Sequence, residues 1–153
     1  MDTFDDFFNG QTFKKKVAMF CTRSGWKIEL LDEENALISG MAPSGRRKFC
    51  FLARVGKDAV EMFVPTLAQV EVGEGFRGDL ANLLLRKNRT RLFAFWCIVD
   101  LFDNKESIAL MHNTWLSALD HEEFDFIIRK LFEECDALDS AMENFVRTWS
   151  RNP

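Results

Sequence analysis

A chain of 153 residues, 47% hydrophobic and 29% charged, can bury a core without disulfide or metal staples and has the balance of an ordinary globular domain. Its formal net charge of −4 opposes the phosphate attraction that dominates nucleic-acid affinity, so no nucleic-acid partner is expected. The longest apolar runs are too short to cross a bilayer and the acidic, aromatic opening Met1–Asn9 is unlike a signal peptide, so a cytoplasmic protein without a membrane partner is expected.

Residues 1–10 read as a flexible N-terminal arm, and 11–150 as one domain. A first helix is expected from about Thr12, where Phe13, Val17, Phe20 and Cys21 share a face at helical spacing; Gly25 suits its C-terminal cap. From Trp26 the period changes to two, and four strands follow in a meander: Trp26–Leu30, Ala36–Met41, Arg47–Val55 and Ala59–Val64. Asp32–Asn35, Pro43-Ser44-Gly45 and Gly56-Lys57-Asp58 are the turns between them, and such short connections join antiparallel neighbours.

Thr66–Gly78 reads as a connecting loop, after which Asp79 caps a second helix that buries Leu80, Leu83 and Leu84 and ends near Asn88. Leu92–Phe102 and Ser107–Trp115 are expected as a strand pair joined at Asp103-Asn104. The closing helix is the clearest element: Asp120 with Glu123 makes a capping-box-like start, and Phe124, Ile128, Leu131, Cys135 and Leu138 keep one apolar stripe. The stripe continues through Met142, Phe145 and Trp149, with a break expected near Asp139-Ser140. The order α-β(meander)-α-β-β-α argues for an α+β fold with helices packed on an antiparallel sheet.

Catalytic machinery is hard to find in this sequence. Only two histidines occur, His112 and His121, and neither belongs to a nucleophile, metal or acid–base signature. Gly73, Gly75 and Gly78 are wrongly spaced for a phosphate loop and lack a following Lys-Ser or Lys-Thr. Cys21, Cys50, Cys97 and Cys135 form no CxxC pair and read as small hydrophobes rather than metal or redox ligands. Glu122, Glu123, Asp125, Glu133, Glu134 and Asp136 read as the solvated side of the closing helix. No catalytic residue, cofactor or metal is therefore expected.

Apolar surface is present in excess instead. In Leu92–Phe102 one face carries Phe93, Phe95, Cys97, Val99 and Leu101 and the other Leu92, Ala94, Trp96, Ile98 and Phe102, so both sides need a cover. Helices on one side and a second subunit or a client protein on the other would supply it. Phe93, Phe95, Trp96 and Leu84 are the candidate residues of a partner or dimer interface, and a homodimer is expected.

The run Leu80-x-x-Leu83-Leu84-Leu85-x-x-Asn88, the aromatic strand Phe93–Trp96, the hairpin at Asp103-Asn104, a strand ending near Trp115 and the capped helix from Asp120 together resemble the YbjN-like family. The pattern Leu131-Phe132-Glu133-Glu134-Cys135-Asp136 in the closing helix is similar too. That family shares its architecture with class I (Tir-type) type III secretion chaperones, which are small, acidic and usually dimeric. The resemblance implies a type III secretion chaperone-like fold, no catalytic residues, and chaperone-like binding of partner or client polypeptides. The alternative it leaves is a regulatory or structural YbjN-like protein without chaperone activity. Two departures stand out: one more strand in the first meander than such chaperones usually have, and no Gly in the Phe93–Trp96 strand.

Overall fold

The computed structural model describes the backbone of residues 3–69, 75–101 and 105–151, and the side chains of 11–67, 78–101 and 106–148. The elements run α1 (Thr3–Ser24), β1 (Lys27–Leu31), β2 (Asn35–Met41), β3 (Arg47–Val55), β4 (Ala59–Gln69), α2 (Gly75–Lys87), a short 3-10 turn, β5 (Phe95–Leu101), β6 (Lys105–Trp115) and α3 (His121–Arg151). The strands form one six-stranded sheet in the order β1-β2-β3-β4-β6-β5, antiparallel at every pairing. The expected α+β class and element order are what the chain adopts.

Local chemistry explains most boundaries. Gly25, at φ 76°, ends α1 as expected, and the N–H groups of Gly25 and Trp26 both reach the Cys21 carbonyl. Asp32 accepts the N–H groups of Glu34 and Asn35 and so closes the β1–β2 turn. Asp120 accepts the Glu123 N–H at 2.8 Å, the N-cap bond expected at the start of α3.

Several bounds differ from expectation. The helix α1 begins at Thr3 rather than near Thr12, and Asp79 lies inside α2 rather than before it. The strand β5 begins at Phe95, not Leu92, because the preceding backbone is bonded elsewhere: His112 Nδ1 meets the Phe93 carbonyl and Arg91 Nε donates to the Ala94 carbonyl. The strand β4 runs past Val64 and through Pro65. Its pairing with β3 reaches only as far as Phe63, so the missing proline donor falls where β4 pairs with β6 alone. The hairpin expected at Asp103-Asn104 lies outside the described residues.

The helix α3 is unbroken through Asp139-Ser140. Asp139 is buried, pairs with Lys48 of β3 and accepts the Leu67 N–H, so a residue that read as a helix breaker is a tertiary anchor. Asp136 corrects the solvated-face expectation in the same way. It is buried, accepts the Ser44 N–H and hydroxyl at 2.9 and 2.5 Å, and takes Arg46 at 3.0 Å, clamping the β2–β3 turn onto α3.

The core lies between one face of the sheet and the helices α1 and α3. Phe13, Val17, Phe20 and Cys21 of α1 meet Phe124, Ile127, Ile128, Leu131 and Cys135 of α3 over Ile38, Cys50, Leu52, Val60, Met62 and Leu110. On α3 the expected stripe is buried at Phe124, Ile128, Leu131 and Cys135 and partly buried at Leu138; Phe145 is exposed, and Trp149 is not among the described side chains.

Candidate functional site

The opposite face of the sheet carries a row of large apolar side chains in register across all six strands. Leu30 pairs with Leu37, Leu37 with Phe51, Phe51 with Phe63, Phe63 with Met111, and Met111 with Phe95. The alternation that sends Ile38, Cys50, Leu52, Met62 and Leu110 to the helices sends these six residues the other way. At about 4.8 Å per strand the row is on the order of 24 Å long. Its middle is ordered by ring packing, with Phe51 stacked on Phe63 at 4.9 Å between centroids.

Exposure is highest toward the ends, with Leu30 at 49% and Phe95 at 39%. Phe49, Val55 and Trp115 extend the apolar surface along β3 and β6 and are exposed as well. One parallel row is polar, running Asn35–Ala53–Glu61–Asn113, and on the other side of the apolar row the same face carries Lys27, Ser39 and Arg47 beside Phe49 and Met41. Among the described elements, α1 and α3 both pack on the other side; on this face Leu30, Phe49, Val55, Phe95 and Trp115 are the exposed large apolar residues, around the partly buried middle of the row.

The four candidate interface residues separate. Leu84 and Trp96 are buried against each other's elements on the helix side. Phe93 is half-buried, stacked on His112 at 4.7 Å and edge-on to Phe126. Phe95 alone lies in the open row. Trp96 is further held by Asn88, whose side-chain amide donates to the Trp96 carbonyl at 2.8 Å while its oxygen accepts the Trp96 N–H at 2.7 Å. Asn88 thus stands in for a neighbouring strand at the outer edge of β5, a tertiary role for the Asn that closes the Leu-rich run. Beside it Leu85 of α2 and Ile98 of β5 line a small apolar cleft and are exposed; Leu83 and Leu92 are exposed as well.

Titratable groups converge less. Ser24 Oγ lies 2.8 Å from His121 Nε2, and Asp125 is close by. The carboxylate bonds Ser24, Trp26 and Arg129 rather than the imidazole, so it does not orient the ring as a nucleophile relay requires. The cysteines are free thiols, and burial pushes Cys21 and Cys135 up to about 12 and Cys97 to about 11. Burial raises Cys50 as well. Thiols of that kind stay protonated and unreactive at neutral pH. Among the described residues no group of three His, Cys, Asp or Glu side chains is placed to hold a metal ion. No described helix is long and apolar enough to cross a membrane.

The sequence reading missed the cross-strand row as a unit. Its signal was the residual apolar character at alternate positions (Phe49, Phe51 and Phe63, with Met111), visible only once strand order aligned them.

No family model matches the chain, and no curated protein matches it in sequence. Among solved structures it is similar to the Yersinia pestis type III secretion chaperone SycH, in a crystal structure with a stable fragment of YscM2. The TM-score is 0.51 at 15% identity, over 82% of this chain and 98% of that one. A likeness at that identity is one of fold, and it is a likeness to the fold expected from the sequence.

Proposed function

We propose that this protein is a non-catalytic, chaperone-like binding domain that holds a partner or client polypeptide against the open face of its sheet. The observation that carries this reading is the six-residue apolar row Leu30–Leu37–Phe51–Phe63–Met111–Phe95. A pleated apolar face fits an extended segment that presents every second side chain to it. The fold of a chaperone crystallised with a partner fragment supports the same reading. Four free thiols fit a reducing compartment such as the cytoplasm.

The exposed pair Leu85 and Ile98, in one cleft between α2 and β5, supports a homodimer formed through these elements. A regulatory or structural YbjN-like role without client holding is the alternative, and it differs in predicting one fixed partner rather than unfolded chains.

The test uses Leu30→Glu combined with Phe95→Glu, both at partly exposed positions so that the fold survives. The wild type is expected to suppress aggregation of a denatured model protein and to retain a partner in native affinity purification. The variant should lose both while its melting curve stays cooperative. Equal holding by a folded variant would sink this surface as the site. Light scattering of wild type against Leu85→Asp with Ile98→Asp tests the dimer, and a monomeric wild type at tens of micromolar would exclude it.

A further inference from the structure

Beside the apolar row, at the β1–β2 edge of the sheet, cations gather. Where α1 turns into β1, a concavity of about 280 Å³ is walled by Trp26 and Lys27, by Ser39 of β2, by Arg47 of β3 and by Arg129 of α3. The three cations come from separate stretches of the chain and share no motif. Among the described residues their carboxylate partners are two: Glu29 takes Lys27 at 3.0 Å and Arg47 at 3.9 Å, and Asp125 takes Arg129 Nε at 2.6 Å. Three positive charges against two negative ones leave the wall one charge positive in a chain whose formal net charge is −4.

The arrangement is held in place. The Arg129 guanidinium lies 5.0 Å over the Trp26 ring, and the Trp26 indole N–H donates to Asp125 at 3.1 Å. Arg47 Nη1 donates to Ser39 Oγ at 3.0 Å, and both residues line the cavity. The side chains of Lys27, Arg47 and Arg129 remain 64%, 50% and 55% exposed, so their other N–H groups are available to a ligand. Paired guanidinium donors in a fixed fork are suited to carboxylates. Trp26 and Arg129 also line a small groove with Met41, Pro43, Phe132 and Glu133, where Met41 and Pro43 offer an apolar side chain a place next to the charge.

We infer that this concavity binds an acidic polypeptide segment, with a Glu or Asp carboxylate at Arg47 and Arg129 and a neighbouring side chain in the Met41–Pro43 groove. The inference concerns the charged wall beside the apolar row and does not depend on what that row binds. The overall negative charge repels acidic ligands at long range, so binding there requires the local site, and it disfavours a nucleic-acid strand still more.

The probe is a fluorescein-labelled peptide of alternating Glu and Ala, followed by anisotropy with a Gln–Ala peptide as its neutral control. The wild type is expected to bind the acidic peptide in preference, more weakly as salt rises. Arg47→Gln with Arg129→Gln should weaken binding about tenfold or more. Lys57→Gln, an exposed cation in the β3–β4 turn, should change nothing. Equal binding by the arginine variant, or of the neutral peptide, would overturn the inference. So would competition by inorganic phosphate as effective as the peptide's own, or preferential binding of an oligothymidylate.

Discussion

The Trp26 indole occupies the space where any side chain on Gly40 would stand: a Cβ added there would lie 2.3 Å from the ring. The indole then rests edge-on against Phe132, at 5.4 Å, and under Arg129. One glycine in β2 thereby lets Trp26, two residues past the first helix, dock on the last one. Gly40→Ala is expected to push the indole out and cost about 1–3 kcal/mol, as overpacking does. Urea melts should show the loss, and tryptophan emission should shift with it. An unchanged midpoint would mean that the ring can be accommodated elsewhere.

The Lys48–Asp139 pair sits between β3 and α3 with both side chains buried. Removing one partner leaves the other as an uncompensated buried charge, so Lys48→Met or Asp139→Leu alone is expected to cost about 3–5 kcal/mol. The joint replacement should recover most of that, because two apolar side chains need no desolvation. A double-mutant cycle measures the recovery, and strictly additive losses would contradict the pairing.

Leu131 is fully buried under the sheet, whereas Lys130 beside it is paired only with Glu133 at the surface. Leu131→Ala should cost about 2–5 kcal/mol. Lys130→Ala should stay within about ±0.5 kcal/mol. Denaturant melts giving equal losses would mean that α3 does not face the sheet as described.

Asp136 ties acid stability to the β2–β3 turn. Burial alone would raise its carboxyl, but the bonds from Ser44 and Arg46 and the Arg46 charge outweigh that and hold it below the ordinary value. A group depressed in the folded state contributes stability above its unfolded value, about 3.9 for Asp, and loses it as pH falls through the folded value. The wild type should therefore lose stability on acidification below about pH 5. Asp136→Asn should start less stable at neutral pH and show a flatter acid limb. Parallel acid limbs in the two proteins would refute the role.

The features legible in the chain before folding are local and periodic. The caps at Gly25 and Asp120, the four-strand meander, and the buried stripe of α3 follow from spacing and turn chemistry, because those signals are complete within a few residues of chain. The same locality explains the errors. Asp136 and Asp139 read as solvent-facing and helix-breaking because their partners Ser44, Arg46 and Lys48 lie about ninety residues away, where no periodic pattern reaches. Tertiary structure alone decided which strands became neighbours. Placing β6 between β4 and β5 aligned Phe63, Met111 and Phe95 into one row and turned scattered apolar residues into a continuous face. It likewise buried Leu84 and Trp96 while leaving Phe95 open, since alternate residues of a strand point to opposite sides and only the helices' position says which side is the core.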